Sequence, residues 1–177
     1  MIYFTADLHF YHDNIIKHTG RPFNSSEEMN VALIKNWNNK VKPNDEVYIV
    51  GDVTMKGPEL AMKVLKQLNG RKYLIRGNYD NFVDKAGFDQ SIFEWVKDYH
   101  RLVYQNEQII LFHYPIEEWD QMFRGSIHLH GHQHNGPDYN FNNAAKGIRR
   151  LDVGVDANNY APVSIDDIFA YFELGEG

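Results

Sequence analysis

Apolar residues in this chain fall into short runs, and the runs stop in a recurrent way. Ile2 to Ala6 run into Asp7 and His9, Val47 to Val50 into Gly51-Asp52, and Tyr73 to Ile75 into Gly77-Asn78 two residues on. Ile109 to Phe112 meet His113, and Ile127 to Leu129 lead to Gly131-His132-Gln133-His134. Short apolar runs bounded by turn residues read as buried strands. Between the first two, Met29, Leu33, Trp37 and Val41 recur at about one helical turn behind Ser25 and Glu28, a capping-box pair, which predicts a helix over 25–40 ended by Pro43-Asn44-Asp45. Pro58 opens a second helix whose apolar face is Ala61, Val64, Leu65 and Leu68, with Gly70 as its stop. Strands are expected at 46–50, 72–76, 126–130 and 150–155, and 99–104 with 108–112 form a hairpin around Gln105-Asn106-Glu107. Ser164 caps a last helix over 165–172, and the Asn-, Gly- and Ala-rich stretch 136–147 reads as a surface loop. Strands alternating with helices early and consecutive strands later suggest helices outside a mixed sheet or a pair of sheets.

Composition narrows this picture. At 177 residues, 43% hydrophobic and 14% aromatic, the chain matches one globular domain over 1–177 with one sizeable core. No window approaches the ~20 apolar residues of a membrane span, and the first run is too short for a signal peptide, so the expected compartment is the cytoplasm. With no cysteine, any metal must be held by nitrogen and oxygen. A formal charge of −6 provides no basic stripe, which argues against extended nucleic acid as the partner.

Strand ends that deliver Asp, His and Asn to one sheet edge can build a metal site from distant parts of the sequence. Asp7 with His9, and His132 with His134, stand two apart, and in extended backbone such pairs project to one side. Gly51, Gly77 and Gly131 each precede a candidate ligand where a sharp turn or close approach is needed.

In order, Asp7-Leu8-His9, Gly51-Asp52, Gly77-Asn78-Tyr79-Asp80, His113 and Gly131-His132-Gln133-His134 resemble the calcineurin-like metallophosphoesterase superfamily. Five blocks in the right order over residues 7–134 are far more specific than any one alone. The resemblance, to the small single-domain prokaryotic and phage members in particular, implies an α/β four-layer αββα sandwich of two mixed sheets flanked by helices. It also implies two divalent metal ions. Asp7, His9, Asp52 and His134 would hold one, and Asp52, Asn78, His113 and His132 the other, with Asp52 bridging.

Two divalent ions bring about four positive charges against two carboxylates, a net cationic centre that favours a phosphate group. Ions ~3.5–4 Å apart can share a water, lower its pKa and stabilise both oxygens of an in-line displacement at phosphorus. Imidazole and carboxylate donors suit Mn, Fe, Zn or Co. The expected activity is hydrolysis of a small phosphate mono- or diester, with nucleotides among the candidates. A nuclease or RNA-end processor of the same chemistry, and a non-catalytic interaction module on the same scaffold, are the alternatives. The latter predicts lost ligands, whereas all seven are present.

One position departs from the resemblance. The superfamily's usual histidine after Gly-Asn, taken as the acid for the leaving group, is Tyr79, a weaker acid with a reference pKa of ~10. Asp80, which orients that histidine in the family, would lose that role. His12, three residues past His9, is therefore the expected catalytic substitute.

Bland readings stand beside these. Gly-Asp is a common loop dipeptide, and an isolated Asp at a strand end is usually a cap. His128 and His130 alternate with apolar neighbours and are expected in hydrogen-bonded structural roles, while His18 and His100 read as surface or packing residues. Arg21, Arg76, Arg124, Arg149 and Arg150 are each more readily explained as solvated or paired than as phosphate ligands. Phe10, Tyr11, Phe23, Tyr79 and Phe82 could stack a nucleobase near the rim, although core packing is the commoner use of such residues.

Overall fold

A computed structural model describes residues 1–173. Its first sheet contains β1 (Ile2–Thr5), β2 (Glu46–Val50), β3 (Arg71–Ile75), β4 (Phe93–Lys97) and β9 (Val163–Ser164), in the order β4-β3-β2-β1-β9. Only β9 is antiparallel to its neighbour. The second sheet contains β5 (Tyr99–Tyr104), β6 (Glu107–Phe112), β7 (Ile127–His130) and β8 (Arg150–Asp152) in that order, with β5 antiparallel and the rest parallel.

Strand alternation explains why the apolar runs are unbroken. Val47, Ile49 and Leu74 face α1 (Asp13–Thr19), α2 (Ser26–Lys40) and α3 (Pro58–Leu65), packing with Ile15, Met29, Leu33, Trp37, Val64 and Leu65. Tyr48, Val50 and Ile75 point the other way, against Ile109, Leu111, Ile127, Leu129 and Leu151 of the second sheet. Central strands are thus buried on both faces. The far face of the second sheet is covered by α4 (Asp138–Ala145) and the 113–126 segment, through Tyr139 on His130 and Trp119 on His128. Helices, sheet, sheet and helix form the expected αββα layers.

The helix over α2 starts as its cap dictates. Ser25 accepts the Glu28 N–H, but the Glu28 carboxylate takes the Asn24 N–H rather than the Ser25 one, so the capping box is only half reciprocal. Trp37, 1% exposed, donates its indole N–H to the Asn69 carbonyl and anchors α2 on the chain leaving α3. Truncating such a residue to alanine typically costs about 3–5 kcal/mol.

Several expectations are corrected. The 136–147 stretch is no surface loop, since α4 occupies most of it. Asn140 turns inward, its amide donating to the Asp152 carbonyl and its oxygen accepting the Asp152 N–H, while Asn143 donates to the Arg150 carbonyl. These asparagines satisfy the free edge of β8, a tertiary reward that outweighs their weak helix propensity. The hairpin turn needs only Gln105 and Asn106, both at positive φ, so Glu107 joins β6. The strand expected at 150–155 leaves its sheet after Asp152, and Gly154 instead bridges Ala6 at the end of β1. The last helix, α5 (Ile165–Ala170), is shorter than expected but carries a full Ser164–Asp167 capping box. Elements α1, β4 and β9 were not anticipated. Among the described residues no helix is long and apolar enough to cross a membrane.

Candidate metal centre

The parallel strands of both sheets end at one edge, and the chain reverses there through strained backbone. Asp7, His9, Asp52, His132 and His134 all have positive φ, between 49° and 73°. Each such non-glycine residue costs on the order of 1–3 kcal/mol, and strain of this kind concentrates at functional sites. The geometry also corrects the extended-strand argument for the paired ligands. Asp7 and His9, like His132 and His134, share a side because the backbone turns left-handed at each, beyond the strand.

Two groups result. Asp7, His9 and His134 form one, Asp52, His113 and His132 the other, and within each group the ligand atoms lie within 4.8 Å of one another. Asn78 belongs with the second: its Oδ1 is 3.1 Å from His113 Nε2 and 3.2 Å from His132 Nδ1. Asp52 sits between the groups. Its Oδ2 is 3.5 Å from His9 Nε2 and 3.3 Å from His113 Nε2, and its Oδ1 accepts the Tyr79 N–H.

The surroundings fit cations. Asp7 Oδ1 and both ring nitrogens of His9 are buried without a hydrogen-bond partner among the described residues, although buried polar atoms are normally satisfied. Burial pushes the Asp7 carboxyl up to about 7 and drives His9 down to about 3, so each side chain is poorly stabilised in its charged form. For His113, burial opposes the proton but hydrogen bonding and attraction from Asp52 outweigh it and raise the group to about 9. A divalent ion would replace that proton. Two histidines are already oriented for this. His113 Nδ1 is 2.8 Å from the Val50 carbonyl and His134 Nδ1 is 2.8 Å from Asp156 Oδ2, which turns each Nε2 toward its own ligand group.

Asp80 has a role that does not need a histidine at position 79. Fully buried, it accepts the N–H groups of Asp52, Val53 and Gly77, tying two ligand loops together. Gly51, at φ +91°, turns so tightly that a β-carbon would overlap the His113 ring. At Gly131 it would lie 2.6 Å from Asp7 Oδ2.

An open cavity of about 390 Å³ lies over both groups, walled by His12, Asn14, Ile15, His18 and Tyr79. His12 stands 5.5 Å from His9 between ring centroids, and its Nδ1 is buried without a partner. His18, expected at the surface or in packing, lines the cavity as well. Of the five aromatics considered for stacking, only Tyr79 reaches it, because Phe10 and Phe82 are core residues and Tyr11 and Phe23 pack against that core. His128 and His130 are buried and hydrogen-bonded, to the Ile116 N–H and the Tyr139 hydroxyl respectively, and burial lowers both to about 4.

Sequence reasoning missed Asp156 and the use made of Arg21. Arg21 is buried and bidentate to Asp156, at 2.8 and 2.9 Å, and also donates to the carbonyls of Asp7 and Leu8. The available signal was the alternating stretch Leu151-Asp152-Val153-Gly154-Val155, whose apolar positions lead to Asp156 much as the other runs lead to candidate ligands.

The chain is 37% identical over 179 residues to an uncharacterized protein of Methanocaldococcus jannaschii, covering 99% of this chain and 93% of that one. It is 28% identical over 194 residues to the Gene 66 protein of Mycobacterium phage L5, covering 94% and 91%. A crystal structure of a protein of unknown function from Aquifex aeolicus superposes with a TM-score of 0.74 at 26% identity, over 96% of this chain and 98% of that one. Residues 1–146 match the calcineurin-like phosphoesterase family. With that match over more than half of its length, the chain belongs to the calcineurin-like phosphoesterases, a family that binds divalent metals.

Proposed function

We propose that this protein is a metal-dependent phosphohydrolase that cleaves small phosphate mono- or diesters, nucleotides included, at a paired cation site. The observation that carries the reading is the position of Asp52 Oδ2, within 3.5 Å of a histidine from each ligand group. Asp7, His9 and His134 would hold one ion, Asn78, His113 and His132 the other, and Asp52 both. Bound there, Mn, Fe, Zn or Co would supply Lewis-acid polarisation of the phosphate and a water of lowered pKa.

The chain's own groups do the rest. The Val50 carbonyl and Asp156 hold His113 and His134 with Nε2 toward the site. Asp80 fixes the Asp52 loop against the Asn78 loop, so the shared carboxylate needs little reorganisation when substrate arrives. His12 is assigned the proton for the departing oxygen, since it lines the cavity beside His9 and Tyr79. Among the described residues no lysine or arginine lines the cavity, which suits a small ester better than a polynucleotide backbone.

The test is hydrolysis of p-nitrophenyl phosphate, its bis-ester, and cyclic and linear nucleotides with Mn²⁺, Zn²⁺ or Mg²⁺, by wild type and Asp52→Ala. Turnover in wild type alone, with both ions loosened in the variant, is expected. No hydrolysis of any ester with any metal, or equal rates and metal content in the two proteins, would refute the proposal. A salt-sensitive preference for polynucleotides would move the assignment to a nuclease.

A further inference from the structure

The family match ends at residue 146, yet one group that faces the metal centre comes from beyond it. Past β8 the chain crosses to the first sheet, where the Val155 N–H bonds the Ala6 carbonyl at 3.0 Å and a 3-10 turn, Val155–Ala157, docks on the end of β1. That turn delivers Asp156 to His134. We infer that Asp156 and Arg21 act together as positioning residues, fixing His134 as the tautomer that offers Nε2 and locking its loop to the Asp7–His9 loop.

Five hydrogen bonds carry the inference, which rests on the metal-centre reading above. Asp156 Oδ2 is 2.8 Å from His134 Nδ1, so the neutral imidazole carries its proton on Nδ1 and keeps Nε2 bare. Arg21 holds both oxygens of the same carboxylate, a planar fork that allows it little rotation. The other edge of the guanidinium donates to the Asp7 and Leu8 carbonyls, at 2.7 and 3.1 Å, the backbone between the first two candidate ligands. Two ligand loops 125 residues apart in sequence thereby share one buried ion pair. Among the described residues the second ligand group has no such pair: His113 Nδ1 meets a backbone carbonyl, that of Val50. The consequence is asymmetric, because loss of Asp156 should weaken the ion held by Asp7, His9 and His134 and spare the other.

The test measures binding of Zn²⁺ and of Mn²⁺ to wild type, Asp156→Ala and Asp156→Asn by competition with a chelating dye. Alanine is expected to weaken one of two binding steps by about 10–100-fold and leave the other unchanged. Asparagine, which keeps an acceptor for His134 but loses a bond to Arg21, should fall between. In parallel, ¹⁵N histidine spectra of the metal-free wild type, assigned by the signal missing in His134→Gln, report the tautomer. A proton on Nδ1 of neutral His134 supports the inference. A proton on Nε2, or wild-type affinity for both ions in Asp156→Ala, overturns it. If Asp156→Ala does not fold, the wild-type tautomer decides alone. A protein that binds both ions and hydrolyses nothing would sink the phosphohydrolase reading while leaving this one standing.

Discussion

Gly77 and Asp52 are packed so closely that a β-carbon on residue 77 would overlap the Asp52 carboxylate and lie 2.5 Å from its backbone nitrogen. The neighbour that would have to move is the one carboxylate shared by both ligand groups, so the contact couples backbone packing to metal binding. Gly77→Ala is expected to lower stability by about 1–3 kcal/mol through overpacking and to reduce the content of both ions. Unfolding midpoints and metal analysis of the purified variant check this; unchanged metal content would show that Asp52 can shift without harm.

Asp80 accepts three buried backbone N–H groups, and Asp80→Ala would leave all three unpaired. The expected loss is on the order of 3 kcal/mol or more. Chemical denaturation measures it, and a loss below about 1 kcal/mol would mean that water or a rearranged loop satisfies those groups.

Asp7 gives a pH dependence of definite sign. Burial raises its folded pKa from 3.8 to about 7, so between those values the folded chain keeps a proton that the unfolded chain releases. Its contribution to metal-free stability therefore falls as pH rises through that window and is constant above it. Asp7→Asn removes this term. With chelator present, the variant should match wild type near pH 4, gain on it up to about pH 7, and then hold an advantage on the order of 2–4 kcal/mol. Denaturation curves at pH 5 and pH 8 decide: a constant difference would mean that the carboxylate is not held neutral.

Metal loading should reverse that liability. At a free concentration about 100 times its Kd, a bound ion adds about 2.7 kcal/mol, which for a chain of this size raises Tm by roughly 5–10 °C. Because Asp7 and His113 hold protons more tightly than usual, loading at pH 7 should release protons and weaken as pH falls. Calorimetry in buffers of different ionisation enthalpy reads the release directly, and identical apparent heats would contradict it.

His12 lines the cavity beside Tyr79. His12→Ala should lower kcat for esters with poor leaving groups by about 10²–10⁴-fold while sparing p-nitrophenyl esters. Tyr79→His in that background should restore part of the loss. Equal rates and pH profiles for His12→Ala and wild type on a poor leaving group would remove His12 from the mechanism.

Local chemistry made much of this molecule legible in its sequence. Apolar runs buried on both faces identify β1, β2, β3, β6 and β7, the Ser25–Glu28 signal identifies α2, and polar residues where those runs stop mark the candidate ligands, because each of these features is written within a few consecutive positions. Other features depend on contacts between distant segments. Asn140 and Asn143 form a helix only because the edge of β8 needs hydrogen-bond partners, and Arg21 and Asp156 bear on the ligands only because a chain crossing brings residues 135 apart into one ion pair. The positive φ of Asp7, His9, Asp52, His132 and His134 is of this second kind too. The sequence alone determined which side chains stand at the strand ends; the packing of two sheets decided how they turn, what holds them and which oxygen of Asp52 faces both groups, since those outcomes depend on burial and on partners that no local pattern specifies.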